Sequence, residues 1–249
     1  MTNEVHPATE KSSQTAVRYL TALIIPFATA YALQTISGQS SNAIFFGTLG
    51  IVGWLMGLRW YGLDGMGLRG GRALFAGTGF AVLGWIAFLI ARIVFVPIDA
   101  LSTGIKAYVY LLMFEAFALQ LWTFGLLFRA MADWRGGLTA AFSSGIVFGG
   151  IGLFLFNESI YQHAGAVTLP AAIYFIMLGV MYGVIRLRTG SLIGTVLVQA
   201  VQSFTGWVAF QSTSAPHITA WNNFYTATTV AYLIITWRLW PKVKEDYRV

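Results

Sequence analysis

The side chains of this 249-residue chain that could do chemistry are few, and most sit in apolar surroundings. Glu115 stands in Leu111-Leu112-Met113-Phe114-Glu115-Ala116-Phe117, with Gln120 five residues further on. A carboxylate buried in hydrocarbon must pair, take a proton or meet water, since its insertion costs about 2.5–3.5 kcal/mol. Arg92 lies in a similar run, Leu89-Ile90-Ala91-Arg92-Ile93-Val94, and is within conceivable reach of Glu115. Three roles for Glu115 stay open. It could pair with Arg92 or, protonated, bond Gln120 or a carbonyl; it could serve a proton path or a catalytic site; it could meet a partner. Gln199, Gln202, Ser203 and Gly206 recur at i, i+3, i+4 and i+7, so they share one helix face. Amides in lipid need partners, and interhelical hydrogen bonding is their ordinary use. Asn157, Glu158, His163 and His217 form a looser polar set. The five-residue step from Glu158 to His163 departs from the four-residue step of a helical metal site, so solvated loops are the default reading. There are no cysteines, which excludes disulfides, thiolate metal sites and cysteine nucleophiles. The glycine-rich stretch 62–71 lacks the strand-then-helix setting of a phosphate loop, and no metal or cofactor is expected.

The elements that must position these groups follow from composition. The chain is 57% hydrophobic and 10% charged, against about 25% charged in soluble domains. This is the make-up of an all-α integral membrane protein. Apolar windows able to cross a core of about 30 Å fall at 17–36, 42–58, 73–96, 107–128, 138–156, 170–187, 190–210 and 220–240, or about eight transmembrane helices. Residues 1–16 read as a polar tail without a signal-peptide pattern. Residues 17–240 read as a single transmembrane domain and residues 241–249 as a basic tail. If the N-terminus is cytoplasmic, every basic residue except Lys106 and Arg92 falls on the cytoplasmic side, so both termini belong in the cytoplasm of an inner-membrane protein. That distribution assigns the positive charge to topology and lipid headgroups rather than nucleic acid. Gly53/Gly57, Gly145/Gly149, Gly179/Gly183 and Gly190/Gly194 mark small-residue faces for close helix contact, chiefly within the chain. Trp54, Trp60, Trp207, Trp221, Trp237 and Trp240 fall near window ends, as interfacial anchors would.

A resemblance runs through residues 124–206. Phe124-Gly125-Leu126-Leu127-Phe128-Arg129-Ala130 is followed by Phe148-Gly149-Gly150-Ile151-Gly152, by Leu187-Arg188-Thr189-Gly190-Ser191-Leu192, and by Gln199-Ala200-Val201-Gln202-Ser203. Order and spacing resemble the CAAX-protease and bacteriocin-processing (CPBP, or Abi) membrane proteins. Their pattern reads Glu-Glu-x-x-Phe-Arg-Gly, Phe-x-x-x-His, Tyr-x-Arg-Thr-Gly-Ser-Leu and His-x-x-Asn-Asn. Phe128, Arg129, Phe148 and the run Arg188 to Leu192 match it. The chemical positions do not: Phe124 and Gly125 replace the glutamates, Gly152 and Gln199 the histidines, Gln202 and Ser203 the asparagines. Activating a water needs a carboxylate base and a metal or histidines, and these replacements supply neither. The resemblance implies an eight-helix bundle with a dead site outlined by Phe124, Gly125, Arg129, Phe148, Gly152, Gln199, Gln202 and Ser203. It would serve as a scaffold, an accessory subunit among other membrane subunits, or a binder of lipid, prenyl chain or peptide. A protease with a relocated site at Glu115 or Glu158, and a transport or immunity protein, are the alternatives.

Overall fold

A computed structural model describes residues 7–38, 42–101, 104–154, 168–212 and 217–249. Among them are eight helices longer than a few turns: α1 Pro7–Ser37, α2 Ala43–Gly65, α3 Gly71–Phe95, α4 Ile105–Arg135, α5 Gly137–Phe154, α6 Leu169–Thr189, α7 Ile193–Ala209 and α8 Ile218–Leu239. Each expected window coincides with one of them. Five (α1, α2, α3, α4 and α6) are long and apolar enough to cross a membrane. The apolar stretches of α5 and α7 are shorter. α8 has the length, but Asn222, Asn223, Thr226, Thr228 and Thr229 dilute its apolar character. Two-residue strands, β1 Ala100–Leu101 and β2 Phe210–Gln211, pair antiparallel and tie the α3–α4 connection to the α7–α8 connection.

Local chemistry sets the helix limits. Thr168 caps α6, its hydroxyl accepting from the Ala171 N–H at 3.4 Å, and Pro170 stands in the first turn where no N–H is needed. Gly190 ends α6 at φ 76, a left-handed conformation that lets the chain reverse directly into α7. Gly190 is therefore a cap, and it shares no helix face with Gly194. At the other terminus α1 already runs from Pro7, so the polar segment expected over 1–16 is helical for more than half its length.

Helix α4 forms the axis of the bundle: 78% of its apolar window is buried, against 22% for α1 and for α3. Around it pack α1, α2, α5 and α7, while α6 packs against α5 and α8, and α3 against α7 and α8. The outer faces are apolar. Ile36, Phe75, Val94, Leu169 and Trp237 are each more than 60% exposed, a surface costly in water and natural in lipid. Dominantly helical, with an apolar exterior and five helices long and apolar enough to span, the chain has the architecture of an all-α membrane protein.

The closest helix pair is α5 on α6. A methyl group built on Gly145 would lie 2.6 Å from the Val180 nitrogen, and one on Gly149 would lie 2.7 Å from Ile176 Cα. Gly179 and Gly183 press on the backbone at Gly145 and Ala141 from the opposite side. These glycine faces are thus internal, where dispersion between closely approaching backbones holds helices together in lipid. Two of the tryptophans expected as anchors are also internal. Trp207 and Trp221 are buried and lie 5.7 Å apart, whereas Trp54 and Trp237 do face outward.

Candidate functional site

The buried polar groups gather where α4 meets α7. Helix α4 is not regular there: Leu111–Ala118 and Leu121–Leu127 are wound with i→i+5 hydrogen bonds. Such winding moves residues five apart towards a common face. Glu115 and Gln120 both reach Gln199 in consequence. Gln199 Nε2 donates to Glu115 Oε1 at 3.4 Å, and Gln199 Oε1 accepts from Gln120 Nε2 at 2.5 Å. Ser203 Oγ donates to Glu115 Oε1 at 2.5 Å, and Thr195 Oγ1 lies 2.6 Å from Gln120 Oε1. Glu115, Gln120, Thr195, Gln199 and Ser203 are all at most 5% exposed. This is a continuous hydrogen-bonded line between two helices, the usual use of amides in lipid.

Arg92 takes no part in it. Nε donates to the Gly206 carbonyl at 3.2 Å, Nη1 to Val96 at 2.8 Å and Nη2 to Phe210 at 2.9 Å, and the guanidinium lies 5.2 Å from the Trp221 ring centre. The reason is local. Phe204–Ala209 is also wound i→i+5, and the chain then turns extended at Phe210, so carbonyls at this helix end need donors from elsewhere. The expected approach of Arg92 to Glu115 is corrected accordingly. Arg92 seals a helix end.

The other positions compared in sequence with the protease pattern are not gathered in one place. Phe124 packs on Phe148 with ring centres 5.4 Å apart, and both pack on Tyr182, at 6.4 and 5.9 Å. All three rings are at most 2% exposed. Gly152 lies beneath Phe175, where a methyl group would stand 2.8 Å from the ring. Gly125 faces Met66 and Leu192. Gln202 is bonded through Nε2 to Tyr174 Oη at 3.1 Å and to Tyr232 Oη at 2.9 Å, which joins α7 to α6 and α8. Arg129 is not drawn into this interior. It pairs with Asp133 at 3.2 Å on the rim and lies 5.9 Å from the Tyr61 ring centre.

Several participants escape a reading of the sequence. Thr195 extends the Gln199 face by one turn and was within reach of the spacing argument. Tyr174, Tyr182 and Tyr232 are three tyrosines among eleven, and only the packing of α6 and α8 selects them. Arg186 is fully buried at the basic end, donating to the Gly65 carbonyl at 3.0 Å and the Arg248 carbonyl at 3.1 Å. Around it the α2–α3 connection meets the α6–α7 turn: the Leu192 N–H donates to Gly67 and the Ser191 hydroxyl to Arg69. The last residues also fold back here. The Arg248 N–H donates to the Leu187 carbonyl at 2.7 Å, and Asp246 pairs with Arg188 at 2.5 Å. Residues 241–249, expected as a basic tail, are docked on α6 by these contacts.

Among the described residues no three His, Asp or Glu side chains converge as a metal would require. Asn157, Glu158 and His163 lie outside the described residues. His217 caps α8, its Nδ1 accepting from the Thr219 N–H at 3.3 Å. Compared with protein-family models, curated proteins and solved structures, the chain finds no match. The class defined by fold and exterior is therefore the broad one, a helical membrane protein with a polar seam between α4 and α7.

Proposed function

We propose that this chain is a catalytically inactive membrane bundle of the CAAX-protease type. It crosses the cytoplasmic membrane about eight times with both termini inside, and serves as a scaffold or accessory subunit of a membrane complex, or as a lipid or peptide binder. One observation carries the reading: the places where such a protease needs carboxylates and imidazoles are packed shut. Phe124 is closed between Phe148 and Tyr182, Gly152 is covered by Phe175, and both ends of the Gln199 amide are occupied by Gln120 and Glu115. No side chain at Phe124, Gly125 or Gly152 can take a proton from a water, which is the task the pattern gives those positions. Clustering of Arg69, Arg129, Arg186, Arg188 and Arg248 at one end supports the orientation, by the positive-inside rule.

The test is purification from native membranes in mild detergent, followed by mass spectrometry, metal analysis and incubation with a prenylated reporter peptide. A stoichiometric protein or lipid companion with an intact reporter is the expected result. Cleavage that disappears in Glu115→Gln, or about one zinc per chain, would sink the proposal in favour of a relocated protease site. The line Thr195–Gln120–Gln199–Glu115–Ser203 favours a second reading, a polar path for a small solute or proton. Solute or proton flux in proteoliposomes, lost in Glu115→Gln, would establish that alternative.

A further inference from the structure

The hairpin of α1 and α2 carries a cavity of about 520 Å³, within the ~300–1,000 Å³ of small-ligand sites. Its lining is graded. Phe27, Phe45 and Phe46 form one end, Phe27 meeting Phe45 edge to face at 5.6 Å. At the other end Gln34 Nε2 donates to Asn42 Oδ1 at 2.8 Å. Tyr31, 64% exposed, stands at the open side. Among the described residues no charged side chain lines it. From Gln34 to Phe27 is seven residues, or about 10 Å along the helix. The amides stand at the hairpin end of the spans, where a bilayer turns polar, and the rings stand deeper, where it is hydrocarbon.

We infer that this cleft binds a glycerolipid of the surrounding bilayer, with an ester group at Gln34 and Asn42 and an acyl chain along Phe27, Phe45 and Phe46. The inference rests on the membrane-embedded reading of α1 and α2 and gives a chemical identity to the lipid-binding part of the proposed function. Three features select this occupant. Exposed apolar side chains border it, Tyr31 in its lining and Leu33 and Ile36 on the same helix. The lining offers neutral hydrogen-bonding groups and no partner for a charged ligand. Gln34 retains a second amide N–H beyond its bond to Asn42, which an ester carbonyl can accept. The polar end supplies the preference. An acyl chain gains little by leaving other chains, because bulk lipid is equally apolar. A second groove, of about 190 Å³ between α2 and α4, is lined by Ile51, Trp54, Met113, Phe114 and Phe117 with no such amide, and it serves as an internal control.

The full chain would be reconstituted in phosphatidylcholine vesicles, checked by flotation, and irradiated with a phosphatidylcholine bearing a diazirine in one acyl chain. Adducts mapped by peptide mass spectrometry are expected on residues 27–46 about threefold to tenfold above those on α3 at Leu83, Ile86 and Ile90, the gain from one or two polar contacts in lipid. Gln34→Leu removes the amide and Phe45→Trp fills the cleft; each is expected to lower labelling to the α3 level. Even labelling of both surfaces, unchanged by either variant, would overturn the site and leave an ordinary lipid coat. A disulfide-linked dimer formed by Tyr31→Cys, the only cysteine of that variant, together with an absence of lipid adducts would overturn it in favour of a dimer face. Failure to float would instead remove the membrane reading on which the site depends.

Discussion

Glu115 and Arg92 are the two buried ionisable side chains that the sequence brings to notice, and the fold treats them differently. Glu115 accepts hydrogen bonds from Ser203 and Gln199, either of which a neutral amide at position 115 can also satisfy. Glu115→Gln is therefore expected to shift stability by less than about 1 kcal/mol, whereas Glu115→Leu, which strands both donors, should cost about 1–3 kcal/mol. Thermal unfolding in detergent separates the two. Equal losses would mean that charge itself matters. Arg92 instead holds three carbonyls, Gly206 and Phe210 at the end of α7 and Val96 at the end of its own helix α3. Arg92→Met should cost about 3 kcal/mol, near the lower bound for three unpaired carbonyls. Arg92→Lys should recover only part of this, because an ammonium has no planar fork to span three acceptors. Full recovery with lysine would show that charge, rather than geometry, is what these helix ends need.

At the scale of elements, the α5–α6 contact depends on absent side chains. Gly145 and Gly150 stand on the same helix five residues apart, yet only Gly145 meets the neighbouring backbone; a methyl group on Gly150 meets nothing within 4 Å. Gly145→Ala should cost about 3 kcal/mol through forced helix separation. Gly150→Ala should be neutral or stabilising by about 0.4–1 kcal/mol, since alanine restricts the unfolded chain. Unfolding of both proteins in one detergent decides the matter. If the two variants behave alike, the close crossing of α5 on α6 is wrong. The irregular winding of α4 belongs to this scale as well, for it lets Gln199 join Glu115 and Gln120 at once.

For the molecule as a whole, the basic end is a folded cap. The α2–α3 connection, the α6–α7 turn and the C-terminal residues meet around Arg186. The Asp246 carboxyl is held below its ordinary 3.8, first by the Lys242 backbone N–H and further by Arg188. A depressed carboxyl stabilises the docked tail above its unfolded value, and that contribution fades as pH falls through the lower folded value. Limited proteolysis should therefore find residues 241–249 protected near neutral pH and progressively cleaved below about pH 4. Arg188→Ala should weaken protection already at neutral pH. A tail that is equally accessible at both pH values would show that the other contacts, Arg248 to Leu187 and to Arg186, hold it without Asp246.

Composition alone determined the broadest facts, because burial in lipid is a property of long segments. Eight apolar windows became eight helices, and the glycine pairs at 145/149 and 179/183 became one tight crossing. The shared face of Gln199, Gln202 and Ser203 was also legible, since helical spacing is local. Partners were not. Arg92 and Glu115 are both buried ionisable side chains in apolar runs, and nothing in either run tells that one meets carbonyls and the other a hydroxyl and an amide. Phe124 reads as one aromatic among many until Phe148 and Tyr182 close on it. Trp207 and Trp221 lie near helix ends, as anchors do, yet they pack against each other inside. Docking of the last residues rests on hydrogen bonds to α6 that span about sixty positions. Helix periodicity reports which groups share a face; only the packed bundle decides what each face meets.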